Sequence, residues 1–421
     1  VSHTTDRSFD VAIVGGGIAG LAVAWRAQRR GLRTVVLERG RLAQAATHVA
    51  AGMLAPISEA RSGERALLAL SRASLERYPA FVAELAEASG RDPGYRACGT
   101  LAVARDRDEA EALERELAER EALGLPVERL LASEARRREP ALAPTLRLAL
   151  DVPDDHAIDP RALAAALAVA VERAGGVLRE GAEVARVVVA SDGERVEGVE
   201  LRGPDRCAHV TGAAAVRVAA GVADGRATGA AALADERIAA DRVVIAAGAW
   251  AGALDGLPAR ACVPIRPVKG QIMRLRDPAG PGLLTRTIRM QPGYLVPRGD
   301  GRYVLGATME EQGFDVAPTA GGIFELLRDA IELVPGVGEL AIEEVAAGLR
   351  PGTPDNAPVL GPGALAGLQW AAGCFRHGIL LAPLVADALA ATLAGEEPPE
   401  VVKPFGAARF AAAPPREAVP S

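Results

Sequence analysis

The sequence predicts an α/β chain, a Rossmann-like parallel-sheet domain into which a mostly antiparallel α+β domain is inserted. Three observations carry that expectation. The stretch Phe9 to Gly40, FDVAIVGGGIAGLAVAWRAQRRGLRTVVLERG, sets an apolar run, a glycine turn, a helical stretch and a second apolar run in the order of a βαβ unit. Strand and helix signals of the same kind return in the middle and at the end of the chain. Between them lie stretches with hairpin signals, the clearest being Tyr294 to Met309, where Gly299-Asp300-Gly301 separates two apolar runs. The 421 residues are enough for two or three domains. The predicted division gives 1–84, 152–258 and 346–421 to the parallel-sheet domain and 85–151 and 259–345 to the inserted one.

Taken in order, Val11 to Val14 reads as a buried strand, Ala19 to Arg29 as a helix and Thr34 to Leu37 as a second strand. Arg41 to Ser58 is rich in small residues and lacks a period, so a loop is expected. Gly63 to Ser89 has helical spacing in Leu67, Leu68, Leu70, Leu75 and Tyr78. Cys98 to Ala104 reads as a strand and Arg107 to Leu123 as a helix with a solvated face. Asp159-Pro160 pairs an N-cap with proline at the first helical position, so Arg161 to Ala174 is a helix, and Gly175-Gly176 ends it. Val177 to Val189 reads as strand, turn, strand, with a further strand within Gly193 to Leu201. Gly203 to Ala240 is Ala/Gly-rich and is expected to be an expanded hairpin or a partly disordered insertion. Arg242 to Ala247 is a buried strand leading into Gly248-Ala249-Trp250. Pro264 to Arg276 pairs antiparallel with Tyr294 to Met309, Gly321 to Leu333 is a helix, and Gly348 to Thr353, Leu368 to Gly373 and Gly378 to Leu393 follow as loop, strand and helix.

The glycines of the first unit have separate physical tasks. Gly15, Gly17 and Gly20 stand in G-x-G-x-x-G spacing, and Glu38 follows Gly20 by eighteen residues. Gly15 allows the turn out of the strand, Gly17 lets a pyrophosphate approach the backbone, and Gly20 lets helix and strand pack closely. The helix N-terminus offers free N–H groups and the positive end of its dipole to phosphates. Glu38 can accept from a ribose 2′-OH and would repel a 2′-phosphate. Dinucleotide binding follows, against a glycine turn of no function, and this stretch alone leaves FAD and NAD both open.

Composition narrows the remaining classes. The net charge of −6 argues against nucleic acid or an anionic membrane as partner. The chain contains two lysines, Lys269 and Lys403, so its basic residues are almost all arginine, a bias read as coding preference rather than function. Its four cysteines, Cys98, Cys207, Cys262 and Cys374, form no C-x-x-C pair, so neither a disulfide framework nor a metal site is expected and a reducing cytoplasm fits. Residues 1–10 carry no apolar signal-peptide core, and Gly378 to Gly395, interrupted by Pro383 and Asp387, reads as a buried helix rather than a membrane span.

Four stretches carry a family resemblance: AAGMLAP from Ala50, GYLVPRGDGRYVLGATME from Gly293, GLRPGTPDNAPVLG from Gly348 and AAGCFRHGILLAP from Ala371. Together they resemble the FAD-dependent glycine oxidase of thiamine biosynthesis, within the wider D-amino-acid oxidase and sarcosine oxidase superfamily. The resemblance runs from about Phe9 to about Pro404 outside the 203–240 stretch, and it implies FAD. It implies that Ile18 and Ala19 meet the pyrophosphate and that Glu38 and Arg39 meet the adenosine ribose. Ala46, Thr47, Ala51, Gly52 and Met53 then run beside the flavin, and Val184 meets the adenine through its backbone. Cys374, Phe375, Arg376, His377, Gly378, Ile379 and Leu380 pass the pyrimidine side. A helix starting at Gly378 would place its N-terminus against the flavin N1–C2=O edge and stabilise the anionic reduced ring, with plain core packing as the alternative.

On the substrate side Arg350 matches a carboxylate-binding arginine, and a guanidinium holds a carboxylate bidentately. An ordinary surface arginine is the competing reading. Tyr294 matches a tyrosine beside the same carboxylate, with a core tyrosine as the alternative, while Arg376 and Met309 match positions around the active site. No protein acid or base is required. His377 stands where relatives often have asparagine and reads as a local variant. Met290 to Gly293 depart from the pattern before Tyr294, which leaves the substrate range open. No cysteine occurs at Gly348-Leu349, so the flavin is expected to be non-covalent. Val304 lies in the region where sarcosine oxidases carry an oxygen-activating lysine, and Lys269 reads as structural. The implied activity is oxidation of glycine with dioxygen by a cytoplasmic homo-oligomer. A D-amino-acid dehydrogenase, an N-methyl amino-acid oxidase and a non-catalytic flavin-bound module are the alternatives.

Overall fold

The computed structural model describes residues 9–203 and 236–410. Strand Phe9–Val14 lies at the centre of the first sheet. It runs parallel to Thr34–Glu38 on one side, which in turn pairs with Val177–Glu180, and parallel to Arg237–Ile245 on the other. Leu368–Ala372 adds a further parallel strand against Arg237–Ile245. Helices Ile18–Gln28, Pro160–Arg173 and Ala382–Leu393 cover one face, where Leu21, Trp25, Leu163, Leu167, Leu384 and Leu389 share one core. The other face is closed by Val187 and Val199 on the antiparallel strands Val184–Val189 and Val196–Leu201, together with Val263 and Ile265.

The second sheet is antiparallel apart from one parallel pair, Thr100–Ala104 beside Thr287–Met290. Its longest contact joins Arg266–Arg276 to Ala341–Gly352, and helix Ala320–Leu333 packs Leu326, Ala330 and Leu333 against it. The hairpin expected around Gly299-Asp300-Gly301 forms between Gly293–Pro297 and Arg302–Gly306.

Several local expectations are corrected. Gly348 to Thr353 is not a loop, because its backbone groups up to Gly352 complete the ladder with Arg266–Arg276. The boundary at 345/346 therefore cuts a strand of the second sheet. Gly63 to Ser89 is two helices, Arg65–Leu75 and Tyr78–Ser89, with Pro79 starting the second. Of the 203–240 stretch, residues 204–235 lie outside the described residues, while the strand expected from Arg242 already begins at Arg237. No helix starts at Gly378. Phe375–His377 is a 3-10 turn, and the helix begins at Ala382, with Pro383 in its first turn.

A cluster of buried charge joins the sheets. Segment 46–53, a four-residue helix Ala46–Val49 that leads into the two-residue strand Met53–Leu54, is too short to satisfy all its carbonyl groups from within. Arg161 Nε and Arg274 Nη2 both donate to the carbonyl of His48, at 3.0 and 2.7 Å. Arg298 donates to the carbonyls of Ala51 and Ile158, each at 2.7 Å. Burial lowers Arg274 and Arg298 to about 10. Glu344 neutralises part of this charge. Both its oxygens accept from Arg161, at 2.8 and 2.9 Å, and Arg274 Nε lies 3.5 Å away.

Although burial opposes it, bonding to His48 and the two arginines holds the Glu344 carboxyl down at about 2, against an ordinary 4.5. Its stabilisation is therefore present above 4.5 and lost as pH falls through about 2. Glu344→Gln is expected to lower unfolding free energy at pH 7 by about 3–5 kcal/mol. In urea titrations its deficit against the parent protein should shrink between these two pH values; a deficit independent of pH would contradict an ionised Glu344.

Candidate active site

A single cavity of about 1100 Å³ runs between the sheets from Glu38 and Arg39, past the glycine turn and segment 46–53, to Tyr294, Met309 and Arg350. The expected site residues all line it except Gly20, His377 and Leu380.

At one end, Glu38 accepts from the amides of Gly16 and Gly40, at 2.8 and 3.1 Å, which fixes its carboxylate at the strand end. Arg39 lies 3.8 Å from the centroid of the Trp250 ring, and burial lowers its pKa. Trp250 lines the cavity and was not among the expected residues. A strand running into a glycine is the signal that places it there.

The three glycines divide as their chemistry requires. A Cβ at Gly15 would stand 2.4 Å from the carbonyl oxygen of Ala246, at a φ of +108°, and one at Gly20 would stand 2.0 Å from the oxygen of Gly15. Both serve packing within the protein, which is why Gly20 faces away from the cavity. Around Gly17 the nearest atom is Thr47 Oγ1, at 3.5 Å, so the space a Cβ would fill is left to a ligand. Gly17 starts helix Ile18–Gln28 with no side-chain cap of its own. Instead, the amide of Ile18 donates to Thr47 Oγ1 at 3.0 Å, joining segment 46–53 to the helix end. An open glycine cradle, the end of a helix whose amides beyond Ile18 have no side-chain partner among the described residues, and a carboxylate at the strand end fit the diphosphate and ribose of a dinucleotide.

At the other end, Arg350 projects from strand Ala341–Gly352. Its Nη1 donates to the carbonyls of Lys269 and Thr308, at 3.3 and 3.1 Å, and its guanidinium also hydrogen-bonds Tyr294. Arg350 has no carboxylate partner within ion-pair distance among the described residues. Two glycines, missed in the sequence, make room for this pair. A Cβ on Gly270 would stand 2.4 Å from Arg350 Nη1, and one on Gly306 would stand 3.0 Å from the Tyr294 ring. Burial raises the Tyr294 pKa, so its phenol stays neutral.

Arg376 also faces the cavity, 3.6 Å from Glu59 and 3.7 Å from Glu64, with its buried Nε lacking a hydrogen-bond partner. Glu59 was not expected. Its loop is held by Asp155, which accepts from the amides of Ile57 and Ser58 at 3.0 and 2.8 Å, and by Arg120, which donates to both carbonyls. Burial pushes the Cys374 thiol up to about 12 and His377 down to about 4. Cys374 is therefore a neutral wall residue, and His377 is uncharged and outside the cavity lining. Leu380 sits in the helical core, where its carbonyl accepts from Ser74. Lys269 is buried, with Nζ 2.6 Å from Asp315, and does not line the cavity.

Comparison with known proteins places the chain in a family. Residues 10–392 match the family described as FAD dependent oxidoreductase (DAO). A glycine oxidase of Geobacillus kaustophilus is 34% identical, with 95% of this chain and 97% of that protein covered. The crystal structure of the glycine oxidase from that organism superposes with a TM-score of 0.80 at 33% identity, covering 95% and 98%. A bifunctional ThiO/ThiG protein of Synechocystis is 35% identical over 95% of this chain, but the match covers only 54% of its own length. The chain thus spans about half of that bifunctional relative and nearly all of the separate oxidase. A Rossmann-type sheet, a glycine cradle with open helix amides and a match along nearly the whole described fold lead to one assignment: the chain belongs to the FAD dependent oxidoreductase family, on the side of it that holds the glycine oxidases.

Proposed function

We propose that this protein oxidises glycine to glyoxylate and ammonia, with dioxygen as terminal acceptor: glycine + H2O + O2 → glyoxylate + NH3 + H2O2. The observation that carries the reading is Arg350, a guanidinium at the end of the cavity whose hydrogen-bond partners among the described residues are carbonyl groups and a phenol. Such a cation has donors left for a small carboxylate. FAD, when bound, supplies the two-electron acceptor.

The chain's own contribution is position and electrostatics. Glu38, the amides at the start of helix Ile18–Gln28 and segment 46–53 hold the dinucleotide. Arg350 and Tyr294 hold the substrate carboxylate and so fix where its α-carbon lies. Cys374, a neutral thiol, and His377, turned away from the cavity, supply no base, so the amine is taken up in its neutral form. Helix Ala382–Leu393 starts too far along the chain for Gly378 to act as its first residue; any polarisation of the flavin there falls to the turn Phe375–His377 and Arg376. A supply of the imine to thiazole formation in thiamine biosynthesis belongs to the same proposal, supported by the ThiO/ThiG name of the Synechocystis relative. A cytoplasmic setting and a homo-oligomer belong to it too. Among the described residues no helix is long and apolar enough to cross a membrane.

The test is peroxide formation in air with glycine, sarcosine, D-alanine and D-proline, on protein whose flavin spectrum has been recorded. Glycine should give the highest kcat/KM. Flavin bleaching without peroxide would instead identify a dehydrogenase, and preference for sarcosine an N-methyl amino-acid oxidase. Arg350→Ala should retain FAD and lose about 2–5 kcal/mol of transition-state binding, roughly 30-fold or more in kcat/KM. Unchanged kinetics in that variant would remove Arg350 from the site. Gly270→Ala should displace the guanidinium without touching the glycine cradle, so that kcat/KM falls by about tenfold to a hundredfold at full FAD occupancy.

A further inference from the structure

Segment 307–319 links strand Arg302–Gly306 to helix Ala320–Leu333 and closes one side of the cavity. It brings the Thr308 carbonyl to Arg350 and Met309 to the cavity wall. Most of its anchors lie on one strand, Arg266–Arg276. Glu310 and Lys269 exchange backbone bonds at 2.8 and 3.0 Å, Lys269 Nζ meets Asp315, and Gln271 bonds Glu310 and both the amide and hydroxyl of Thr319. Phe314 does something different. Its ring, 46% exposed, stacks on Trp250 of the first sheet's turn Gly248–Ala253, with centroids 5.7 Å apart and planes at 28°. The guanidinium of Arg39 also packs on the Trp250 ring. Arg39 and Trp250 line the cofactor cavity and Phe314 does not.

We propose that Phe314 is a positioning residue, and that the Arg39–Trp250–Phe314 stack couples FAD occupancy to the placement of segment 307–319 over the substrate end. The reasoning is mechanical and reciprocal. A cofactor filling the cavity beside Glu38 confines Arg39 and the Trp250 ring. A confined ring is a better stacking partner for Phe314, which holds the segment that carries Thr308 and Met309. By linkage, whatever FAD contributes to holding the segment, the segment contributes to holding FAD. The inference concerns FAD alone and does not depend on glycine as substrate, so it can fail while the proposed reaction stands, or the reverse.

The experiment is FAD titration of the apoprotein, read by flavin fluorescence, for the parent, Phe314→Ala, Trp250→Ala and the double variant. Phe314→Ala is expected to weaken FAD binding by about threefold to tenfold, the range of aromatic and cation–π stacking, although Phe314 does not line the cavity. Phe314→Tyr should restore it. In the Trp250→Ala background, removing Phe314 should have no further effect. Amide exchange over 311–316 should slow when FAD is added to the parent protein and should not slow in Trp250→Ala. The coupling is overturned if Phe314→Ala binds FAD as the parent does. It is equally overturned if the loss is the same in both backgrounds, since that would be general loosening of the segment.

Discussion

The structure depends on three guanidinium groups placed against backbone carbonyls, two of them buried and the third, Arg161, half-buried. Arg161, Arg274 and Arg298 supply the hydrogen bonds that segment 46–53 lacks for want of a ladder or a long helix. A buried cation is tolerated only when its charge is compensated, and Glu344 and Asp159 provide that from the ends of a strand and a helix. The same segment supplies Thr47 to the start of helix Ile18–Gln28. One cluster therefore sets the spacing between the sheets and holds one wall of the cavity. The adjoining loop is held from both sides, by Arg120 on its carbonyls and Asp155 on its amides. Burial pushes Asp155 up to about 6 in spite of the bonds that favour its charge.

Arg350 differs in its partners from the ion-paired arginines of the fold. Arg289 is matched bidentately by Glu116 at 2.8 Å, Arg105 by Glu109 and Asp329, and Arg161 by Glu344. Arg350 meets carbonyl oxygens, which orient a guanidinium without neutralising it. At this end of the cavity a guanidinium without a carboxylate in ion-pair distance among the described residues thus lies beside a neutral phenol, which is the basis of the proposed carboxylate site. The abundance of arginine, read from composition as coding preference, is put to structural use at these buried positions.

Much of this was legible because local chemistry dictates it. The Asp159-Pro160 cap, the glycine turn after Phe9–Val14 and the Gly299-Asp300-Gly301 hairpin each need only a few neighbouring residues to take their form. The strand nature of residues 348–352 was not legible. Glycine and proline on either side of Arg350 read as a loop, and it is the partner strand Arg266–Arg276, some eighty residues earlier in the chain, that extends them. The start of the last helix was misplaced for a related reason. Gly378 to Leu381 are apolar and helix-compatible, but the turn Phe375–His377 sets a different path into Pro383. Arg350 and Tyr294 were placed by resemblance. Glu59, Gly270 and Gly306 carry no local signal of their own, and Trp250 is marked by no more than the strand that runs into Gly248.

By itself the sequence determined the parallel-sheet class, the dinucleotide cradle and the acidic residue at the strand end, because spacing within one βαβ unit governs all three. The tertiary structure alone decided that Arg350 meets carbonyl oxygens rather than a carboxylate, and which glycines serve packing within the protein. It also decided how segment 307–319 meets the cofactor side of the cavity. Those are questions of which groups lie within a few ångströms of one another across hundreds of residues. Charge compensation and steric room are set by that proximity, and no local spacing encodes it.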